Sequence, residues 1–215
     1  MQHPVEMKKT YFALLFLPLA AFVFAEPQTA EDIEVKVQIA GENVTVDLNM
    51  TVAATRQETW AVLTDFAHMP DFVSNVKESK VLSTEGDTLR IFQRGSATYG
   101  PVSFKFETTR ELKLDPFDTI HSRLVSGTMR KMDGTTRLVE EGTKTRIIYH
   151  AESIPGTWVP PMIGKAFIAH ETREQFREMR NEIIRRKQST KPSVPHIAGR
   201  PIWQGAPFSF TFLKT

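Results

Sequence analysis

Period-two alternation of apolar and polar residues runs through the middle of this chain, and it leaves few folds open. Val102, Phe104, Phe106 and Thr108 alternate with Ser103, Lys105 and Glu107, and Ile120, Ser122 and Leu124 alternate with His121, Arg123 and Val125. Successive side chains of a strand point to opposite faces, so each such run reads as a half-buried strand. Similar runs occupy 76–82, 88–94, 136–139 and 145–152. Turn signals at Glu85-Gly86-Asp87, Gly100-Pro101, Asp115-Pro116, Asp133-Gly134 and Glu141-Gly142 separate them. Short strands at this spacing predict one antiparallel sheet. Upstream, 33–39 and 44–52 alternate in the same way around Gly41-Glu42-Asn43, and read as one long or broken strand.

Helical signals are confined to two places. Thr55 followed by Glu58 is a capping box, in which each side chain satisfies a free backbone N–H at the start of a helix. Trp60, Val62, Leu63 and Phe66 supply that helix with an apolar face. Pro70 disfavours helix at Met69, so Phe72 and Val73 fall on a second short helix. Pro160-Pro161 then opens a long helix reaching about Lys187, about 40 Å at 1.5 Å per residue. Met162, Ala169, Thr172, Phe176, Met179 and Ile183 share one arc of its wheel; Glu171, Glu174, Arg177, Glu178 and Asn181 take the other side. This helix is expected to lie with its apolar face on the sheet.

Of the 215 residues 40% are hydrophobic, enough for a real core. Cysteine is absent, which excludes disulfides, thiolate metal sites and a cysteine nucleophile. The formal charge of +2 gives little drive toward nucleic acid. Its distribution is uneven: Arg185, Arg186, Lys187, Lys191, Arg200 and Lys214 follow Glu182 with no acidic residue among them.

The two ends differ from the body. Lys8-Lys9 precede an apolar run from Tyr11 to Phe24 that is too short for a bilayer span, which needs about 20 residues. The run ends in Val23-Phe24-Ala25. Residues 1–25 therefore read as an export signal cleaved after Ala25, with Met7 the fitting start. The expected destination in a Gram-negative cell is the periplasm. Residues 188–215 contain Pro192, Pro195, Pro201 and Pro207 among basic and aromatic residues, and read as a tail without regular structure. Such a tail is either a loose extension or a contact for an anionic membrane surface or an envelope protein.

The order strand, two short helices, about six strands and one long closing helix is that of the α+β helix-grip fold, in which a curved antiparallel sheet wraps the last helix. The residues carry the same resemblance. Residues 53–66 (AATRQETWAVLTDF), 68–73 (HMPDFV), 99–104 (YGPVSF), 127–135 (GTMRKMDGT), 145–149 (TRIIY) and the closing helix resemble the START-like/Bet v 1-like superfamily. They are most similar to its polyketide cyclase/dehydrase and coenzyme-Q-binding branch. The resemblance spans about 33–187, and makes 26–187 a START-like ligand-binding domain. Thr136 departs from the Trp often found in that branch, which implies a larger or more polar cavity.

Chemical motifs are sparse. His68, His121, His150 and His170 are scattered, with no metal-ligand spacing. No nucleophile elbow and no glycine-rich phosphate loop occurs. His68 and Tyr149 are the side chains that acid/base chemistry would use. The resemblance implies instead a cavity between sheet and helix. Its expected lining is Phe92, Gln93, Tyr99, Phe104, Phe106, Ser122, Thr136 and Tyr149 from the sheet, with Met162, Ala166, Ala169 and Phe176 from the helix. Gln93, Tyr99, Ser122, Thr136 and Tyr149 are the polar groups that would orient a ligand among apolar walls. Entry would need residues 66–73 or 95–101 to move.

The expected activity is carriage of a hydrophobic small molecule, with no cofactor beyond a bound lipid or polyprenyl quinone. The competing expectations are a cyclase/dehydratase-type enzyme on a polyketide-like substrate, and an accessory factor for a periplasmic redox or envelope complex.

Overall fold

A computed structural model describes residues 33–100, 102–157 and 161–190. The expected export signal, the expected tail beyond Thr190 and the readings that rest on them lie outside these residues. The chain forms β1 (Ile33–Ala40), β2 (Asn43–Val52), α1 (Arg56–Leu63), a 3-10 turn (Phe66–His68), α2 (Met69–Phe72), β3 (Val76–Glu85), β4 (Thr88–Tyr99), β5 (Val102–Asp115), β6 (Thr119–Gly127), β7 (Met129–Glu141), β8 (Lys144–Pro155) and α3 (Pro161–Thr190). The strands make one antiparallel sheet in the order β1-β2-β8-β7-β6-β5-β4-β3. This is the helix-grip arrangement, with α3 against the sheet.

The first alternating segment is not one strand, long or broken. Gly41 has a φ of 63°, a left-handed conformation that glycine adopts without strain, and the Gly41-Glu42 turn folds β2 back on β1 with Ala40 opposite Asn43. Val44, Val46, Leu48, Met50 and Val52 of β2 are all buried, so period two holds through the hairpin.

At α1, the Thr55 hydroxyl accepts from the Glu58 N–H at 3.2 Å, and the Glu58 carboxylate accepts from the Thr55 N–H at 2.8 Å. Thr59, Val62 and Leu63 of this helix are buried. Pro70 sits in the first turn of α2, where its missing N–H costs nothing.

Phe176, Met179 and Ile183 of α3 enter the main core beside Leu48, Ile91, Leu112, Leu138 and Ile147. Earlier in the helix, Ile168 and Ala169 pack on a separate cluster of Val37, Val44 and Val46. The helix continues three residues past Lys187, and the Ser189 and Thr190 hydroxyls each donate at 2.9 Å to the carbonyls four residues back.

The helix pair is tied to α3 by charge. Asp65 pairs with Arg186 at 2.8 Å and with His68 Nδ1 at 2.7 Å. The Arg186 guanidinium stands 5.4 Å over the Phe72 ring, a cation–π contact. Glu178 accepts from the Ser74 N–H at 2.9 Å, and Lys187 donates to the Ala53 carbonyl at 2.6 Å. The segment after α2 also presses on β4: Ser96 N–H donates to the Asn75 carbonyl at 3.0 Å. A Cβ at Gly95 would lie 1.9 Å from that oxygen, so no side chain fits there.

Candidate ligand-binding cavity

The inward faces of β4 to β8 do not close fully on α3. They leave a cavity of about 310 Å³, at the small end of the range for ligand pockets. Alternation decides what faces it. On β5 the inward positions are Phe106, Thr108, Arg110 and Leu112; on β6 they are Ile120 and Ser122; on β7 Met132, Gly134 and Thr136; on β8 Tyr149. Leu63, Phe66 and Met69 cap one end, and Gln175, Phe176 and Met179 of α3 form the roof. The β6–β7 ladder runs only from Thr119↔Arg137 to Arg123↔Asp133. Past it the two strands part, and Met129 and Met132 line the cavity beside that gap.

Six of the twelve residues expected at the cavity line it: Gln93, Phe106, Ser122, Thr136, Tyr149 and Phe176. Phe92 does not, because it neighbours Gln93 on β4 and must face the other way. Tyr99 lies at the exposed end of β4, where its ring stacks 4.4 Å from His170. Phe104 is in phase with Phe106 but sits further along β5, edge-on to Phe167 at 5.2 Å. Ala166 is exposed, and Ala169 faces the β1–β2 cluster. The cavity lies under the second half of α3, more than a turn beyond both alanines. The Met162 side chain lies outside the described residues. His68 is also not a cavity residue: its side chain is 67% exposed and bound to Asp65.

Arg110 is the charged lining residue absent from the expected set, which also lacked Met69, Thr108, Met132, Gln175 and Met179. Its phase matches Phe106 and Thr108, so alternation alone would have turned it inward. One Nη donates to the Gln93 carbonyl oxygen, and the other donates to Ser122 Oγ at 3.4 Å. Because an arginine can only donate, Gln93 must present its oxygen to it. That leaves the Gln93 amide N–H₂ to donate to Ser79 Oγ at 3.0 Å and to Met69 Sδ at 3.1 Å. Arg110 Nε is shielded from solvent and has no hydrogen-bond partner among the described residues. Among the described residues no carboxylate lies within ion-pair distance of Arg110.

Burial pushes the Arg110 guanidinium below its ordinary pKa, and neighbouring Tyr149 offsets part of that. Arginine starts high enough that the group stays charged. Burial pushes the Tyr149 phenol up, against the pull of Arg110, so this hydroxyl remains protonated. The cavity thus offers apolar walls and a short polar strip of Gln93, Arg110, Ser122 and Tyr149. Among the described residues, no cluster of three or more His, Asp or Glu is placed to hold a metal ion.

Comparison with solved structures returns the same fold. An aromatase/cyclase, ZhuI from Streptomyces sp. R1128, matches with a TM-score of 0.58 at 16% identity, over 67% of this chain and 96% of its own. A STAR-related lipid transfer protein from Xanthomonas axonopodis matches at 0.61 and 14% identity, over 74% and 97%. A START superfamily protein from Mycobacterium smegmatis matches at 0.58 and 14%, over 66% and 97%. A search of curated protein sequences finds no match. The family described as polyketide cyclase/dehydrase and lipid transport matches residues 52–180, from the end of β2 to well into α3. With more than half of the chain matched and the helix-grip fold in place, this chain belongs to that family.

Proposed function

We propose that the protein binds and carries a hydrophobic small molecule between its sheet and α3. The observation that supports this is the cavity itself: about 310 Å³ walled by Phe106, Leu112, Ile120, Met132, Phe176 and Met179, with only a few polar groups. Burying apolar ligand surface there is favourable by about 25 cal/mol per Å². The volume suits one chain or one small ring system, so a polyprenyl quinone would leave most of its chain outside. Asp65, Arg186 and Glu178 hold the helix pair down, which favours entry at the gap between β6 and β7 over movement of residues 66–73. The signal-like pattern of residues 1–25 supports a periplasmic carrier, and N-terminal sequencing of the mature protein should begin at Glu26; a start at Met1 or Met7 contradicts cleavage after Ala25.

Arg110 and Tyr149 favour a second reading. Both bear protons and face the same enclosed space, as a cyclase-type enzyme would require. A pH–rate profile lost in Tyr149→Phe on a polyketide-like substrate is the mark of that reading.

A direct test of the carrier reading fills the cavity. Thr136→Trp places an indole in it while leaving Gln93, Arg110 and Tyr149 in place. Titration with the neutral fluorophore N-phenyl-1-naphthylamine should show one saturable site in the natural protein and at least tenfold weaker binding in the variant. Absence of saturable binding, or equal binding by the variant, contradicts the reading.

A further inference from the structure

The cavity holds a positive charge that nothing among the described residues neutralises. Arg110 lies between β4 and β6, donates to Gln93 and Ser122, and keeps Nε shielded and unpartnered. A charge partly withdrawn from water into an apolar cavity is costly unless it is paired, and an arginine cannot shed its proton to escape that cost. Its two partners are neutral oxygens. Of the five N–H donors of a guanidinium, two are used by them. Of those left, the Nε–H has no acceptor among the described residues, and the side chain lines the cavity.

The surroundings fit an incoming anion. Ser122, as acceptor from Arg110, keeps its own O–H for donation. Tyr149 also keeps its proton for donation. Beyond this strip the walls are Leu112, Ile120, Phe176 and Met179, which suit a hydrocarbon and not a second charge. One cation calls for one negative charge, since a dianion would leave the cavity with an unpaired charge of the opposite sign. A volume of about 310 Å³ takes one chain, not two.

We propose that the cavity is built for a single-chain amphiphile with a monoanionic head, whose charge is met by Arg110 with Ser122 and Tyr149 beside it. The proposal rests on the reading of the cavity as a hydrophobic-ligand site, and it adds the chemistry of the head group. Carboxylates and phosphodiesters share the required charge.

The test compares cis-parinaric acid with its methyl ester, which differ only in that charge. The natural protein should bind the acid at least tenfold tighter than the ester. In Arg110→Met the ratio should fall toward one, and in Arg110→Lys it should be intermediate; a thermal melt checks that each variant is folded. Equal binding of acid and ester by the natural protein overturns the proposal and leaves the hydrophobic cavity standing. An acid preference that persists in folded Arg110→Met also overturns it. Binding of neither probe overturns the cavity reading and the proposal together. The acid-to-ester ratio of the natural protein needs no variant. Competition against bound parinaric acid then separates the sources: displacement by palmitate alone supports a carboxylate, and displacement by lysophosphatidylglycerol as well supports any monoanion.

Discussion

The ring of Tyr149 on β8 stands 5.1 Å from the ring of Phe176 on α3, tilted by 48°, and both line the cavity. Sheet and closing helix touch there, so packing and ligand recognition share one contact. The two halves separate by substitution. Phe176→Ala should cost about 3–5 kcal/mol, the usual range for a buried phenylalanine, read as a lowered urea midpoint. Tyr149→Phe keeps the ring and should leave stability close to unchanged. It should weaken a neutral ligand that takes the hydroxyl proton by roughly 2- to 12-fold, and an anionic one by roughly 12- to 150-fold, the equivalents of one neutral and one charge-assisted hydrogen bond. Unchanged affinity removes Tyr149 from the recognition strip.

Gly95 on β4 has no room for a side chain. The Asn75 carbonyl oxygen would lie 1.9 Å from an added Cβ and the Phe106 ring 2.8 Å away. Backbone has to move to relieve the first contact. Gly95→Ala should therefore destabilise the fold by at least ~2 kcal/mol, among the larger effects of single substitutions. It should also displace Phe106 and alter the cavity, visible as weaker uptake of a neutral apolar probe. A melting temperature equal to that of the natural protein contradicts the geometry.

Glu182 on α3 carries a pH dependence. Its hydrogen bonds with Arg185, at 2.7 Å, and then Arg186 hold its carboxyl at about 2, from an ordinary 4.5, against the opposing effect of burial. A carboxyl lowered on folding contributes stability above the unfolded value of 4.5 and loses it as pH falls toward about 2. The contribution is ~3 kcal/mol at most. Urea midpoints measured from pH 6 to pH 2 should fall less steeply below pH 4.5 in Glu182→Gln than in the natural protein.

His68 has the opposite sign. The hydrogen bond to Asp65 raises its pKa above the ordinary 6.5, so its contribution is present below that value and fades as pH rises through the raised one. In His68→Gln the small loss of stability from pH 6 to pH 9 should vanish.

The elements were legible where the signal is local. The Thr55–Glu58 box, the alternation from 76 onward and the proline opening of α3 each act within a few residues, and those elements form there. The turn expected at Asp133-Gly134 does not form: both residues lie inside β7, paired with Arg123 and Ser122 of β6 and with Glu152 and Ala151 of β8. The hairpin at Gly41 was not legible, because Gly41-Glu42 lacks the Asn-Gly or Asp-Gly pair that marks a two-residue turn. The cavity was half legible. Parity along β4 separates Gln93 from Phe92, and along β5 it aligns Arg110 with Phe106. A charged residue in a strand is ordinarily solvated, however, so alternation alone does not mark Arg110 as a cavity residue. On α3, sequence shows which residues share an arc but not which turn lies over the gap, so Ala166 and Ala169 were assigned to the cavity where Gln175 and Met179 belong.

The central claim is that the cavity is occupied by a hydrophobic small molecule. Native mass spectrometry of the protein purified without detergent from its own cells, followed by organic extraction, tests it most directly. The account predicts a stoichiometric adduct that extracts into organic solvent. A clean mass of the bare chain, with no uptake from a panel of fatty acids, lysolipids and quinones, would contradict it.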